Sequence, residues 1–326
     1  MKAVDIPWTE KYRPDTLDEV VGNEDSVNKM KRWVDDDSVP HVLLQGPAGT
    51  GKTASIVAFA KDKYGDDWRN NIIQFNASDD RGIDVVRDDI KRHAQQSPAG
   101  DYSNKIIHLD ESDSMTSDAM NALRRIMEKY SDQTRFFLSC NFANKIIDPI
   151  QSRCVNLPFK RLEDSEIRQI LTNIAQEEDI DWEVEAFDEI IDYVQGDARR
   201  AVHTLQMSVQ DGEVSSDTLE FVNLQASQED IEEMVELAVN GEIEEAMNMN
   251  IREVQPEVTD HSQFCKDVMT ALKKSESINK DVRWYMMSQL GDMERNILEG
   301  ASPEVQTNSF IAKLPVCQYS SIPNYE

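Results

Sequence analysis

The chain is poor in cysteine. Its 326 residues include four, at Cys140, Cys154, Cys265 and Cys317, and no two form a C-x-x-C pair. That spacing offers neither a zinc site nor a disulfide framework and predicts isolated thiols. No apolar run approaches the length of a membrane span, and none follows the first charged residues in the manner of a secretory signal. The expected setting is therefore the cytoplasm, with no membrane partner. Internal repeats and long low-complexity tracts are also missing. Basic side chains are scarce, 34 Lys and Arg against 62 Asp and Glu, for a net charge of −28. A surface of that sign repels nucleic acid. The imbalance is uneven: residues 1–160 carry 22 basic and 26 acidic side chains, whereas residues 161–326 carry 12 and 36. Such an excess suits a halophilic protein, because salt shortens the reach of like-charge repulsion. An acidic solvated surface in ordinary cytoplasm is the plainer alternative.

What is present is a regular alternation over the first 160 residues. Short apolar runs at His41–Leu44, Ile72–Asn76, Lys105–Leu109, Phe136–Cys140 and Cys154–Leu157 read as strands. Helical patterns lie between them at Asn23–Val34, Lys52–Tyr64, Gly82–Ala94 and Ser117–Tyr130, which predicts an α/β sheet domain. Pro158 marks the exit from it. Beyond Glu163 the strand signal fades. Ile167, Ile170, Leu171 and Ile174 share a helical face, and helices are predicted at Glu183–Val194 and Ala198–Val209, making a small helical domain that ends near Ser227. Residues 228–326 read as further helices, including Asp281–Leu298, with Gly241 and Gly300 as stops. This last part carries no chemical motif, and its expected role is packing or assembly.

The chemistry begins at Gly46-Pro47-Ala48-Gly49-Thr50-Gly51-Lys52-Thr53, which satisfies G-x-x-x-x-G-K-[ST] at every fixed position. An apolar strand precedes it and a helix follows, as the motif requires. Glycines let the backbone curl so that successive N–H groups face an anion, and the helix N-terminus adds partial positive charge. Lys52 is expected to reach the β- and γ-phosphates of ATP, and Thr53 to ligate Mg²⁺. Ile106-Ile107-His108-Leu109-Asp110-Glu111 is an apolar strand ending in two carboxylates. In a phosphate-loop fold such a strand is expected beside the one feeding the loop, so that Asp110 holds Mg²⁺ and Glu111 polarises the attacking water. His108 reads as a satisfied core histidine. Asn141, ending Phe136–Asn141, is placed either to bond the γ-phosphate and water or to begin a turn.

Further segments occur in order around these: Trp8-Thr9-Glu10-Lys11-Tyr12-Arg13-Pro14, Asn76-Ala77-Ser78-Asp79-Asp80-Arg81-Gly82, Leu123-Arg124-Arg125-Ile126-Met127-Glu128 and Ser152-Arg153-Cys154. Together with the loop and the acidic strand, they resemble the clamp-loader AAA+ ATPases, most closely the small subunits of archaeal replication factor C. The resemblance is dense over residues 5–210 and thereafter one of length and helical character. It implies a phosphate-loop ATPase core at 1–160, a helical lid at 161–227 and an all-helical collar for oligomerisation at 228–326. It makes Asn141 the first sensor. Arg153 becomes a finger reaching the γ-phosphate bound by a neighbouring subunit. Arg199, within Gly196-Asp197-Ala198-Arg199, becomes the second sensor. Tyr12, Arg13, Pro14, Val21 and Gly22 would line the adenine pocket.

The same resemblance implies further copies of the chain, a large subunit, a sliding clamp and primer–template DNA as partners. On Gly82–Ala94, Ile83, Val86 and Ile90 share one face while Arg87 and Lys91 share another, with Arg81 near the start. The family sets this helix against duplex phosphates, contacts that track a backbone without reading sequence. Asp84, Asp88 and Asp89 flank the basic residues, so a mixed-charge solvated face is the competing reading. Arg124 and Arg125 suit phosphate contacts and intersubunit bridges equally. The clamp contact is expected around Ala94–Lys105. Departures from the family pattern are Ala48 in place of a common Pro, Ser112 in place of Ala after Asp-Glu, and Asp80 in place of Glu. None removes a phosphate, metal or water ligand, so an active ATPase is expected. Two rivals share the loop and the sensors: a DNA-translocating AAA+ motor such as a branch-migration helicase, and a subunit that binds ATP without hydrolysing it.

Overall fold

A computed structural model describes residues 6–36, 38–77, 83–220, 228–255, 258, 261–275, 277–278 and 280–315, with the backbone path alone at 83–87, 220, 228–229, 253 and 281. The chain forms two compact units, residues 1–218 and 219–326. In the first, a parallel sheet is built from β1 (His41–Gln45), β2 (Ile72–Asn76), β3 (Lys105–Asp110), β4 (Thr134–Cys140) and β5 (Cys154–Pro158), in the order β2-β3-β4-β1-β5. The central strands are buried almost continuously, as a sheet covered on both sides requires, and successive side chains enter opposite faces. Leu43, Ile107, Leu109, Phe136 and Leu138 enter one buried cluster, while Val42, Leu44, Ile106, Phe137 and Leu157 enter the other.

The sheet order corrects one expectation. β3 does not lie beside β1; β4 runs between them, pairing Leu44 with Ser139 on one side and Leu109 with Leu138 on the other. The reason lies in β4 itself, whose seven residues are buried except for partly exposed Arg135, so an interior place suits it better than an edge.

Helices α1 (Trp8–Lys11), α2 (Glu24–Val34), α3 (Lys52–Tyr64), α4 (Trp68–Asn71), α5 (Ile83–Ala94), α6 (Ser117–Lys129) and α7 (Asp148–Gln151) accompany the sheet. The α6 start is fixed by Thr116, whose Oγ1 accepts from Ala119 N at 3.3 Å, a cap of about 1 kcal/mol. Then come α8 (Asp164–Glu177), α9 (Val184–Val194), α10 (Ala198–Ser208) and α11 (Ser216–Glu220). A reciprocal capping box between Glu163 and Glu166 opens α8. The region beyond Glu163 is not purely helical. Asp181–Trp182 and Glu213–Val214 pair in parallel as β6 and β7, too short for any alternation to register in sequence.

The second unit consists of helices at Gln228–Val239, Ile243–Met249, His261–Lys274, Lys280–Leu298 and Pro303–Ile311, with a π-helical turn at Asn250–Val254. Its core includes Ile231, Val235, Phe264, Leu272, Met286, Leu290 and Phe310. Gly241 and Gly300 end helices at φ 90° and 100°, where the sequence placed the stops. Among the described residues no helix is long and apolar enough to cross a membrane, and Cys140, Cys154 and Cys265 are free thiols. Cys317 lies outside the described residues.

Candidate functional site

The phosphate loop leaves the C-terminal end of β1 and enters α3. Gly46 (φ 154°) has no room for a side chain, since a Cβ would come 1.9 Å from the Phe159 carbonyl oxygen. Gly49 (φ 72°) is equally tight against Asp197, which a Cβ would meet at 1.8 Å. Ala198 N also donates to Gly49 O at 3.0 Å, and Arg161 Nη1 bridges Ala48 O (3.3 Å) and Asp197 Oδ2 (3.2 Å). The N-terminus of α10 is thus fastened to the loop.

Lys52 folds back over that loop. Its Nζ donates to Gly46 O at 2.6 Å, Pro47 O at 2.7 Å and Asn141 Oδ1 at 3.2 Å. Burial lowers its pKa, while the Asp110 and Asp113 carboxylates pull it the other way. Thr53 Oγ1 donates to Asp110 Oδ2 at 3.1 Å. Asp110 Oδ1 accepts from Ser139 Oγ at 2.6 Å and Glu111 N at 3.0 Å. Burial would raise the Asp110 pKa, but hydrogen bonds from Ser139 and Thr53 outweigh it and hold the carboxyl below its ordinary range. Asp110 is therefore ionised and aimed at Thr53. Glu111 is exposed with its backbone in the left-handed region, φ 52°, a conformation costing about 1 kcal/mol for a side chain with Cβ. Asp113 accepts from Asn141 N at 3.3 Å and Phe142 N at 3.1 Å, tying the end of β4 to the acidic turn.

These groups line a cleft of about 830 Å³ shared by Lys52, Thr53, Asp110, Glu111, Asn141 and Arg199. Tyr12, Arg13, Pro14 and Val21 also line it, with Leu162, Ile170 and Ile174 from around α8 and Val202 from α10. Tyr12 OH donates to Glu178 Oε1 at 2.7 Å, and Lys11 Nζ reaches the same oxygen at 2.6 Å. Gly22 (φ 79°) stands against the Glu166 carboxylate. Arg153 is not part of the lining. Its Nη2 pairs with Glu128 Oε1 at 2.5 Å and its Nη1 donates to Pro149 O at 2.6 Å. Lys91 is exposed on α5; Arg81 and the Arg87 side chain lie outside the described residues. Burial pushes the Cys140 thiol up to about 11 and that of Cys154 to about 12, so neither is a reactive thiolate.

Sequence reasoning missed Ser139, Asp113, Asp197 and Arg161. Ser139, Asp113 and Asp197 lie within segments the sequence singles out, but what each of them touches depends on the fold. His108 departs in part from the satisfied core histidine expected. It is fully buried, and its Nε2 meets Ser139 Oγ at 3.0 Å, but its Nδ1 has no partner.

Residues 42–161 match the family described as ATPase family associated with various cellular activities (AAA), and residues 226–313 match the replication factor C C-terminal domain. The chain is 38% identical over 316 residues to the replication factor C small subunit of Methanococcus maripaludis, covering 96% of this chain and 99% of that protein. It is 40% identical over 311 residues to the Halobacterium salinarum small subunit, covering 94% and 95%. The Sulfurisphaera tokodaii small subunit matches at 38% over 317 residues, 96% of each chain. These relatives are archaeal, and only some are halophiles, so the likeness does not single out a high-salt origin. Among solved structures, the Thermotoga maritima RuvB Holliday junction branch migration motor superposes with a TM-score of 0.57 at 16% identity, over 76% of this chain and 89% of that one. Likeness at that identity is one of fold. Identity of this degree over nearly the whole length is a different matter: the chain belongs to the replication factor C small-subunit family of AAA ATPases.

Proposed function

We propose that the chain binds ATP with Mg²⁺ and spends its hydrolysis on opening a ring-shaped sliding clamp and loading it onto primer–template DNA. It would act within an assembly of like subunits and one large subunit, in the cytoplasm. Clamp loading in DNA replication is the work of its family. The observation that carries it is the division of the site. Lys52, Thr53, Asp110, Glu111, Asn141 and Arg199 share one cleft, while Arg153 stands outside, held by Glu128.

The donor set suits a magnesium nucleotide. The loop leaves no space for side chains at Gly46 and Gly49, and the Thr53 hydroxyl and Asp110 carboxylate are paired hard oxygens. Bound Mg²⁺ would neutralise charge shared by the β- and γ-phosphates. Lys52 would exchange its loop carbonyls for phosphate oxygens. Glu111 would orient the attacking water, Asn141 would fix it, and Arg199 would bring α10 over the phosphates. Tyr12, Arg13, Pro14, Val21 and Gly22 would frame the base. Arg153 would complete a neighbour's site, so hydrolysis should require assembly. Arg81, Arg87 and Lys91 are assigned to the DNA backbone. The domain limits assigned are 1–160 for the core, 161–227 for the lid and 228–326 for the collar.

The test is ATPase activity of the full assembly with its matching large subunit. Stimulation by clamp and by primed DNA is the expected result, and stimulation by neither overturns the loader. Displacement of a strand from branched DNA would favour the motor. Mixing Arg153→Ala subunits with Glu111→Gln subunits creates some intact composite sites. Recovery of hydrolysis is expected, and its complete absence would refute a finger acting between chains.

A further inference from the structure

Between the phosphate loop and Asp110 stands a group with no role in the mechanism above. Ser139 is fully buried on β4, the strand that separates β1 from β3. Its hydroxyl lies 2.6 Å from Asp110 Oδ1 and 3.5 Å from Leu109 O. A carboxylate can only accept, so Ser139 donates its one proton there. Its oxygen must then accept from His108 Nε2, 3.0 Å away. That fixes the imidazole as the Nε2–H tautomer, with Nδ1 bare, and Nδ1 is the atom without a partner. Burial lowers the His108 pKa to about 4, in keeping with a neutral ring.

We propose that Ser139 and His108 are positioning residues for Asp110: a buried chain, His108 Nε2–H to Ser139 Oγ–H to Asp110 Oδ1, that decides which carboxylate oxygen faces the metal. Oδ1 is occupied by Ser139 and the Glu111 amide. Oδ2 is left toward Thr53 Oγ1 at 3.1 Å, with Gln74 Nε2 at 3.4 Å. Without the Ser139 hydroxyl, only the Glu111 amide holds Oδ1, and the carboxylate turns more easily about its terminal bond. Without His108 the hydroxyl keeps its proton donor role but loses the bond that polarises and orients it. His108 therefore acts only through Ser139, which makes its effect smaller and dependent on that residue. The inference rests on the reading of Asp110 as the Mg²⁺-facing acid.

The experiment measures affinity of the full-length chain for a fluorescent ATP analogue, titrated with Mg²⁺ and repeated in EDTA. Ser139→Ala should raise the half-saturating Mg²⁺ concentration about tenfold, the scale of one charge-assisted hydrogen bond, and leave affinity in EDTA unchanged. His108→Leu should raise it about threefold, a fraction of that bond. The double variant should match Ser139→Ala alone, and Ser139→Thr should restore the wild-type value. Asp110→Asn is the reference. If it leaves the Mg²⁺ dependence unmoved, the metal-site reading itself fails. If Asp110→Asn shifts it and Ser139→Ala does not, the positioning chain alone is refuted. Additive effects in the double variant would also overturn the chain. Should Ser139→Ala fail to fold, the His108→Leu shift and its absence decide the matter.

Discussion

The two units use buried polar groups to opposite ends. In the first, Lys52, His108, Ser139 and Asp197 are buried around the cleft, and each bears on the phosphate loop or on Asp110. In the second, Asn250 Nδ2 donates to Asn308 Oδ1 at 2.9 Å and Gln255 Nε2 to Thr307 Oγ1 at 3.2 Å, joining helices to one another. Desolvation costs the same in either place. In the first unit it is offset by groups that wait for a ligand, and in the second by fixing which helix faces which. The lesson is that buried polarity marks a site only where its partners converge on a cavity.

That contrast can be broken from either side. The largest effect is expected at Phe264, which is 1% exposed in the second core. Phe264→Ala should cost about 3–5 kcal/mol and lower the second unit's unfolding transition in calorimetry, leaving nucleotide affinity of the first unchanged. Acid should do the reverse. His41 and His108 are held neutral by burial, both with pKa lowered to about 4; His41 is further disfavoured as a cation by Arg135 and lies 3.0 Å from Phe136 N, whose hydrogen bond its Nδ1 accepts. The unfolded chain binds these protons near 6.5, so it takes up more protons than the folded chain between 6.5 and 4. Their stabilisation is complete above 6.5 and fades as pH falls toward 4, by about 2 kcal/mol each at pH 5. Four of the five tryptophans lie in residues 1–218, and Trp284 of the second unit is 64% exposed. Tryptophan emission should therefore report the early acid transition of the first unit.

A third change separates ligand from fold. Lys52→Ala removes a desolvated cation, so the first unit should unfold no earlier in a melt while its affinity for Mg²⁺–ATP drops about 100-fold. Coincident loss of both would mean that Lys52 holds the loop together rather than waiting for phosphate. The smallest effect belongs to Glu128→Gln. The Arg153–Glu128 pair is 36% and 42% exposed in its side chains, so its loss should cost under about 1 kcal/mol. A larger shift in melting temperature would make the pair part of the core rather than a resting place for Arg153.

Much of this was legible because strand patterning and loop chemistry are local. The five sheet strands were found to within two residues. β4 begins earlier than expected because Thr134 and Arg135 are polar, yet they pair with Lys105 and Ile106. The phosphate loop, Asp110 and Glu111 followed from spacing and Asn141 from the family resemblance, and the cleft brings them together. What stayed hidden is non-local. The apolar run Phe136-Phe137-Leu138 suits an interior strand, but β3 is as buried as β4, so nothing local tells that β4 is the one beside β1. The support that Ser139 gives Asp110 and that Asp113 gives Asn141 could not be read without that order. In the second unit no motif existed to read, and helix pattern alone led to its packing core.

The contact between Gly49 and Asp197 has a mechanical consequence. The loop backbone and the start of α10 touch with no flexible side chain of the loop between them, through a missing Cβ and the Ala198 N to Gly49 O bond. α10 runs for 11 residues, a rigid arm of about 16 Å. A displacement of a few tenths of an ångström at its pivot, where phosphate would settle, swings the far end through a larger arc. A phosphate that shifted the loop would therefore carry the start of that arm with it, with no loop side chain in between to absorb the shift.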